Sequence, residues 1–265
     1  MKLFAVIGHP IKHSLSPQLH RIAFRLIGED ATYTKVDVHP ESLETFMEVA
    51  PLVFKGLNVT IPHKERVYEL VDEVMGVASE VKAVNTVLFE DSRSYGFNTD
   101  VKGVRMAIES EVNARGMKVA ILGAGGAARA AVVAFYKDCK VTVFNRTLEK
   151  AQRLAREFGV EARPLKDYEE IRRHNIIINA TPVGMDGRST PIPIEVIERN
   201  HVVMDMVYRP LFTPLLKGAL RRGAKTVDGL RMLVIQGLES EKIWLGKAPD
   251  WKVVYMKLLA ELANG

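Results

Sequence analysis

The segment Val119-Ala-Ile-Leu-Gly123-Ala-Gly125-Gly126-Ala-Ala128-Arg129 decides the fold, and it lies near the middle of the chain. Its apolar start predicts a buried strand, its glycines predict a tight turn, and the alanine-rich run after them predicts a helix. The spacing of the glycines and the last alanine is the G-x-G-x-x-A pattern of a dinucleotide-binding strand–turn–helix unit. We therefore predict that the cofactor is bound by Gly123, Ala124, Gly125, Gly126, Ala127 and Ala128.

Each small residue of this turn has a separate physical reason. Gly123 permits the turn, Gly125 lets the backbone approach a pyrophosphate, and Ala128 lets the helix pack closely on the strand. The start of the helix then supplies free N–H groups and the positive end of its dipole to the phosphates. Because the pattern lies between a predicted strand and a predicted helix, a dinucleotide site is favoured over a purely structural turn.

The next predicted strand, Lys140–Phe144, indicates which dinucleotide is bound. It is followed by Asn145-Arg146-Thr147, where an NAD site usually carries an acidic residue that binds the ribose 2′-hydroxyl. An arginine at this position can instead pair with the 2′-phosphate of NADP. The alternative is a surface arginine beside Thr147 as a helix N-cap. The position one strand after the glycine turn favours NADP bound by Asn145, Arg146 and Thr147.

The composition of the chain excludes several classes of protein. Of its 265 residues, 47% are hydrophobic and 26% are charged, which is typical of globular proteins. The single cysteine, Cys139, excludes a disulfide framework or a cysteine-ligated metal cluster within one chain. No apolar run reaches the roughly twenty residues of a membrane span, and the N-terminus lacks a signal-peptide pattern. We therefore expect a cytoplasmic protein.

Charge and histidine placement argue against two further functions. The net charge is +5, from 37 Lys+Arg and 32 Asp+Glu, and the basic residues are scattered among acidic ones. A nucleic-acid-binding surface would instead show a basic stripe interleaved with aromatic residues. His9, His13, His20 and His63 lack the spacing of metal ligands, so we predict structural or solvent-facing histidines and no metal.

Predicted strands and helices alternate along the chain, which indicates an α/β fold with parallel strands. Helices are expected at Pro17–Ile27, His63–Val71 and Val101–Arg115, and a hairpin is expected with a turn at Asp91–Ser94. About a hundred residues precede the glycine turn, so we predict two α/β domains with a cleft between them. Open sheets bind ligands beyond the carboxyl ends of their strands, and Thr181, Met206 and Tyr208 follow predicted strands of the cofactor domain.

Polar residues in the first hundred positions cluster where predicted strands end. The loop after the first strand carries Ser14 and Ser16, and the loop after the third carries Thr60 and Lys64. Asn85 opens the hairpin and Asp100 follows it. Hydroxyls and amides suit a polyhydroxylated anionic ligand, while a lysine and an aspartate can transfer protons.

Eight segments together resemble the shikimate dehydrogenase family. In chain order they are His13–Pro17, Asn58–Lys64, Gly96–Asp100, Gly123–Ala128, Asn145–Thr147, Asn179–Pro182, Asp205–Tyr208 and Asp228–Met232. The resemblance implies NADPH-dependent, reversible reduction of 3-dehydroshikimate to shikimate, a step of aromatic amino-acid biosynthesis. It also implies an N-terminal α/β substrate domain, residues 1–100 with 237–265, and a doubly wound Rossmann-type NADP domain, residues 101–236.

The resemblance implies a role for each candidate residue. Lys64 exchanges a proton with the substrate hydroxyl, and Asp100 binds the same region. The other substrate-binding residues it implies are Ser14 and Ser16 for the carboxylate, Thr60 and Asn85 for the ring hydroxyls, and Tyr208 and Gln236. The remaining cofactor contacts are Thr181, Met206, Gly229 and Met232, of which the last two lie near the nicotinamide.

Alternatives remain open at this point. Ser16 before Pro17 is a good helix N-cap, Asp100 can cap the next helix, and Lys64 can be a solvated residue of a first helical turn. The protein can also be a broader quinate/shikimate dehydrogenase that uses NAD or NADP, or a non-catalytic NADP sensor. The expected partner is a small molecule, not a nucleic acid or a membrane, and a homodimer is retained as an option.

Overall fold

The computed structural model describes residues 1–263. The chain forms two compact units, one made of residues 1–99 with the chain from Val234 onward, and the other made of Asp100–Leu233. Each unit contains its own six-stranded sheet. None of the helices among the described residues is long and apolar enough to cross a membrane.

The elements follow one another in nearly regular alternation. The first unit has β1 (Lys2–Gly8), α1 (Ser16–Ile27), β2 (Ala31–Asp37), α2 (Leu43–Val49), β3 (Gly56–Val59), α3 (Lys64–Leu70), β4 (Glu73–Val74), α4 (Ala78–Val81), β5 (Thr86–Glu90) and β6 (Arg93–Phe97). The second has α5 (Asp100–Glu109), β7 (Lys118–Leu122), α6 (Gly126–Phe135), β8 (Lys140–Asn145), α7 (Leu148–Phe158), β9 (Glu161–Pro164), α8 (Tyr168–Arg172), β10 (Ile176–Asn179), β11 (Val202–Asp205), α9 (Pro214–Arg221) and β12 (Lys225–Val227). Helix α10 (Gly229–Leu245) begins in the second unit and continues into the first, which α11 (Trp251–Ala263) completes.

The first sheet is mixed and has the strand order β2-β1-β3-β5-β6-β4. Strands β2 and β3 both pair in parallel with β1, whereas β5 runs antiparallel to β3 and to β6. The hairpin turn is shorter than the predicted Asp91–Ser94. The two residues between β5 and β6, Asp91 and Ser92, have positive φ, 50° and 59°, as a two-residue hairpin turn requires. Ser94 belongs to β6, where its hydroxyl donates to Asp72 at 2.6 Å.

The first sheet is covered by apolar side chains on both faces. Ala5, Ile7 and Leu57 belong to one buried cluster, and Phe4 and Val6 belong to another on the opposite face of β1. Successive side chains of a strand point to opposite faces, so this division follows from the uninterrupted apolar run of β1. A strand buried on both faces lies in the interior of its sheet, and here β1 lies between β2 and β3.

The second sheet is parallel throughout and has the order β12-β11-β10-β7-β8-β9. Its centre is formed by Val119, Ala120 and Ile121 of β7, all fully buried. This is the doubly wound arrangement that the glycine turn predicts. The short edge strand β9 was not predicted, because Glu161–Pro164 lacks an apolar run.

The helix predicted for Val101–Arg115 is shorter than expected, because α5 ends at Glu109. The Ser110 hydroxyl donates to the carbonyl of Ala107 at 2.7 Å, and the Glu111 amide donates to the carbonyl of Ile108 at 3.0 Å. These bonds replace the next turn of the helix with a tighter one. Serine offers such local hydrogen bonds as an alternative to helical ones.

Asp138 links α5 to the end of α6 and makes stability depend on pH. Both its oxygens accept hydrogen bonds from Arg105, at 2.7 and 2.8 Å, and these bonds lower the pKa of Asp138. A lowered folded-state pKa means that the stabilisation is complete above the unfolded pKa, about 4, and is lost as the pH falls through the folded pKa. The side chains are 22% and 32% exposed, so solvent weakens the pair.

We expect Asp138→Asn to lower the free energy of unfolding at neutral pH by about 1 kcal/mol or less. The deficit relative to the unaltered protein should shrink progressively in acid, where Asp138 is itself protonated. Urea unfolding of both proteins at neutral and acidic pH measures the difference. An equal deficit at both pH values would show that the ion pair is not its source.

Candidate active site

In the first sheet the order in which the chain adds strands reverses at β1. The chain passes from β1 to β2 on one side and then to β3 on the other, so the loops after β1 and β3 diverge. The crevice beyond the carboxyl ends of two such strands is where open α/β sheets bind ligands. At this position the structure places four predicted residues: Ser14 and Ser16 after β1, and Thr60 and Lys64 after β3.

Ser14 and Ser16 lie together at the start of α1. The Ser14 hydroxyl donates to the Ser16 hydroxyl at 3.2 Å and accepts the Ser16 amide at 3.3 Å. The alternative that Ser16 is the helix N-cap is wrong, because the cap position is Leu15 and Ser16 is already helical. Ser14 is the residue whose hydroxyl binds an amide of the first turn. Ser16 is buried, with 6% of its surface exposed.

The loop after β3 is held firmly on both sides of Lys64. Its neighbour His63 is buried and hydrogen-bonds through Nε2 to the carbonyl of Val38 at 2.7 Å. The Lys64 carbonyl accepts the amide of Val84 at 2.9 Å. Lys64 itself is half-buried at the first position of α3, one residue later than the predicted helix start. The ammonium group is therefore carried on a fixed backbone.

A close approach of backbone joins the two loops. A methyl group on Gly8, at the end of β1, would lie 2.5 Å from the side chain of Thr60 and 3.0 Å from the Ile61 carbonyl. Glycine at this position therefore lets the β1 and β3 loops lie side by side. Thr60 also donates its amide to Ile7 at 2.9 Å, which extends the pairing of the strands to their carboxyl ends.

Asn85 and Gln236 are brought together although 151 residues separate them. The Asn85 side-chain amide donates to Gln236 Oε1 at 3.2 Å and to the Thr99 hydroxyl at 2.9 Å. The Asn85 carbonyl oxygen, Oδ1, accepts the Thr99 amide at 2.8 Å. Asn85 is 2% exposed and Gln236 is 9% exposed. Both side-chain amides are thus oriented by hydrogen bonds within the protein. Asp100 follows Thr99 directly and begins α5 in the second unit.

The second sheet changes its winding direction between β7 and β10. Gly123, directly after β7, has φ +115°, and a methyl group there would lie 3.0 Å from the Thr181 side chain in the loop after β10. The sequence predicted both residues as cofactor contacts, and the structure places them side by side. Helix α6 begins at Gly126, so free amides lie at this point of the sheet.

The space over the glycine turn is open. A methyl group on Gly125 or Gly126 would meet no atom within 4 Å. Gly125 has φ −97° and ψ −169°, a conformation that other residues adopt readily. The conformation of the turn therefore does not require glycine at this position. The open space is what an approaching pyrophosphate needs.

The residues after β8 form an exposed, cationic loop. Asn145 ends the strand and donates its side-chain amide to the Thr147 carbonyl at 2.8 Å. Arg146 is exposed, and Thr147 occupies the N-cap of α7. A second exposed cation, Lys150, lies in the first turn of α7, four residues after Arg146.

Buried hydrogen bonds join the loops after β10 and β11. The Asp205 carboxylate accepts from Asn179 Nδ2 at 2.9 Å, from the Val207 amide at 3.0 Å and from the Thr213 hydroxyl at 2.6 Å. Burial raises the pKa of Asp205, and the three hydrogen bonds oppose that shift. Asn179 Oδ1 also accepts the Thr181 hydroxyl at 2.7 Å. Thr181 is therefore fixed by the same network.

The start of α10 lies against the loop after β11. A methyl group on Gly229 would come within 2.6 Å of the Met206 carbonyl and 2.7 Å of Val207, so glycine is required for this contact. Met206 and Gly229, two predicted cofactor residues, are thus adjacent, and Met232 lies one turn along α10 and is half-buried. Tyr208 is half-buried in the same loop, where burial raises its pKa.

Two family models match this chain. One describes a shikimate dehydrogenase substrate-binding domain and matches residues 6–87, and the other describes shikimate/quinate 5-dehydrogenases and matches residues 106–185. A shikimate dehydrogenase (NADP(+)) from Ignicoccus hospitalis is 60% identical over 261 residues, which covers 98% of this chain and all of the relative. The chain belongs to the shikimate dehydrogenase family.

Solved structures of shikimate dehydrogenases are similar over nearly the whole chain. The enzyme from Thermus thermophilus, solved with NADP(H) and shikimate, has a TM-score of 0.93 and 38% identity, and the match covers 98% of this chain and 99% of that one. A second shikimate dehydrogenase, solved with NADP+, has a TM-score of 0.94 and 39% identity over 98% of this chain and 96% of the other. The two-domain α/β architecture predicted from the sequence is that of this family.

Proposed function

We propose that this chain catalyses the reversible, NADPH-dependent reduction of 3-dehydroshikimate to shikimate. The main observation behind this proposal is the position of Lys64. It is a half-buried lysine on a backbone fixed by His63 and Val84, at the carboxyl ends of β1 and β3 where an open sheet binds its ligand. A binding module has no need of an acid–base group there, whereas reduction of a ketone requires a proton donor for the developing alkoxide.

The polar residues of the first unit match the substrate group by group. Ser14 and Ser16 offer hydroxyls to the carboxylate at the start of α1, whose free amides also favour an anion. Thr60, Asn85 and Gln236 offer hydrogen bonds to the ring hydroxyls. We assign Asp100 to the hydroxyl that receives the proton, and Tyr208 to a further substrate contact. Lys64 donates the proton in reduction and accepts it in oxidation.

The second unit has the residues that an NADP site needs. The open turn at Gly125 and Gly126 accommodates the pyrophosphate, and Arg146 with Asn145 and Thr147 would hold the 2′-phosphate. Thr181, Met206, Gly229 and Met232 would contact the nicotinamide half. When bound, NADPH supplies the hydride. The contribution of the protein is to hold the nucleotide and to move the proton.

We expect Gly125→Ala to weaken NADP binding about tenfold or more without changing stability. The new methyl group would clash with no protein atom, but it would occupy the space through which the backbone contacts the pyrophosphate. Fluorescence titration with NADP and thermal unfolding measure the two effects separately. If the variant binds NADP as tightly as the unaltered protein, the pyrophosphate does not lie over Gly125.

Steady-state assays of the purified protein test the proposed reaction. Shikimate and quinate are each offered with NADP and with NAD, and formation of the reduced nucleotide is followed by absorbance. We expect rapid reduction with shikimate and NADP and much slower reduction in the other three combinations. Comparable rates with quinate or NAD would indicate a broader quinate/shikimate dehydrogenase. Binding of NADP without turnover of either acid would indicate a sensor.

Two further properties are proposed on the basis of the family. We propose that the protein acts in the cytoplasm and that it can form a homodimer. Analytical ultracentrifugation at several protein concentrations tests the dimer. A single species with the mass of one chain at all concentrations would contradict it.

A further inference from the structure

Two buried hydroxyls, those of Thr86 and Ser240, lie behind the residues proposed to bind the substrate ring. Thr86 begins β5, and Ser240 lies on α10 one helical turn after Gln236. Both residues are 0% exposed. Their hydroxyl oxygens are 2.8 Å apart, although 154 residues separate them in the sequence. A buried hydroxyl needs a hydrogen-bond partner within the protein, so the partners of these two show what they hold in place.

The partners fix the direction of each hydrogen bond. The Thr99 backbone amide can only donate, so the Asn85 atom that faces it at 2.8 Å is the acceptor Oδ1. The same oxygen accepts the Thr86 hydroxyl at 3.0 Å. Thr86 has then given up its only proton, so its oxygen accepts the proton of Ser240. The Ser240 hydroxyl also lies 3.1 Å from the Gln236 carbonyl, but a carbonyl inside a helix already has an amide partner.

Asn58, on β3, forms the other end of this chain of hydrogen bonds. Its side-chain amide donates to the backbone carbonyl of Asn85 at 3.2 Å and to the Ser240 hydroxyl at 2.9 Å. A backbone carbonyl can only accept, so Nδ2 must face it, and Oδ1 accepts the Tyr33 hydroxyl at 2.7 Å. The hydrogen bonds therefore run in one direction, from Asn58 through the two hydroxyls to Asn85.

Gln236 receives the last hydrogen bond of the chain. Because Asn85 turns Oδ1 toward Thr99 and Thr86, its Nδ2 faces Gln236 and donates to Oε1 at 3.2 Å. The Thr99 hydroxyl donates to the same oxygen at 3.3 Å. With Oε1 held by the protein, Nε2 is the group with which Gln236 meets a ligand. All these residues belong to the first unit, and a buried network whose donors and acceptors match is rigid.

We propose that Thr86 and Ser240 are positioning residues that hold Gln236 as a hydrogen-bond donor to the substrate ring. This inference rests on the proposed function, and both hydroxyls are too deeply buried to contact the substrate themselves. Ser240 ties α10 to the sheet one turn away from Gln236. Thr86 fixes Asn85, which in turn fixes the Gln236 amide. Loss of either hydroxyl lets that amide move away from the geometry in which Nε2 donates to the ring.

The Thr86→Val variant tests this role, because it removes the hydroxyl and keeps the size of the side chain. We expect the KM for shikimate to rise about fivefold, as loss of one neutral hydrogen bond predicts, with kcat within about twofold and the KM for NADP unchanged. Ser240→Ala is a second, independent test with the same expected result. Thr86→Ser keeps the hydroxyl and removes the methyl group, so it should leave the KM for shikimate within twofold. A role in packing alone would raise that KM in Thr86→Ser as well.

Ser94→Ala is the matched control. Ser94 is another buried serine of the first unit, and its hydroxyl donates to Asp72 at 2.6 Å. Its replacement should lower the Tm of the protein without changing the KM for shikimate. If Ser94→Ala raises this KM as much as Ser240→Ala does, general loosening of the unit explains both effects and the proposal is overturned.

A double variant identifies Gln236 as the residue through which the two hydroxyls act. Gln236→Ala should raise the KM for shikimate by itself, and adding Thr86→Val should then raise it less than twofold further. Independent, multiplicative effects would overturn the proposal. An unaltered protein that does not oxidise shikimate would overturn the proposed function and this role with it. An active protein whose KM for shikimate is unchanged in both Thr86→Val and Ser240→Ala would overturn the positioning role alone.

Discussion

Replacement of Lys64 by alanine is expected to lower kcat for shikimate oxidation by roughly two to four orders of magnitude, the usual contribution of a positioned acid or base. The backbone at Lys64 is held by hydrogen bonds that do not involve its side chain, including the one from the Val84 amide to the Lys64 carbonyl. The fold should therefore survive the change. Stopped-flow or steady-state measurement of NADPH formation, with circular dichroism as the test of folding, gives the result.

Two further variants separate lost chemistry from lost packing. Lys64→Met keeps the apolar stem and removes only the charged amine, so it should be as inactive as Lys64→Ala. Lys55→Ala removes a lysine of the same unit that pairs with Glu90 at 3.5 Å, and it should retain full activity. Near-normal kcat in Lys64→Met would exclude the amine from proton transfer and leave Lys64 a substrate-binding role at most.

The second large effect concerns cofactor choice. Arg146→Ala is expected to raise the KM for NADP about 10- to 100-fold, since hydrogen bonds to a charged group contribute about 1.5–3 kcal/mol each. The KM for NAD should hardly change, because NAD has no 2′-phosphate for Arg146 to bind. Steady-state kinetics with both nucleotides at saturating shikimate measures the two constants.

The control for Arg146 is Arg156→Ala. Arg156 is an exposed arginine in the last turn of α7, so its removal changes the net charge equally but at the far end of the helix. It should leave both KM values within about twofold, since exposed charges a Debye length away are largely screened. An equal rise of the KM values for NADP and NAD in Arg146→Ala would mean that Arg146 contributes to binding of both nucleotides and does not recognise the 2′-phosphate.

Features encoded locally could be predicted from the sequence. The apolar run Val119–Leu122 followed by Gly123 and Gly125 predicted a buried strand and a tight glycine turn, and both are present. Such segments need only neighbouring residues to take their form. The predicted end of α5 was wrong because local side-chain hydrogen bonds compete with the helix at Ser110. The alternative of Ser16 as an N-cap was wrong because α1 begins at Ser16 itself, with Leu15 at the cap position.

Contacts between distant parts of the chain could not be predicted in the same way. Asn58 and Ser240 are 182 residues apart, and their hydrogen bond exists only because β3 and α10 pack together. The motif that contains Asn58 gave no indication of Tyr33 as its partner, because a tyrosine in an edge strand has many possible roles. The resemblance to a family supplied the candidate site residues, but the network behind them follows only from the packed structure.

Transfer of deuterium tests the central claim most directly. The protein is given 3-dehydroshikimate and NADPH that carries two deuterium atoms at the nicotinamide C4 carbon, and the product is analysed by mass spectrometry. Direct hydride transfer predicts shikimate that contains one deuterium atom per molecule. In the converse experiment, with unlabelled NADPH in deuterated water, the carbon that receives the hydride should acquire no deuterium. Shikimate without deuterium, or no reduction of 3-dehydroshikimate by a folded protein that binds NADPH, would contradict the account.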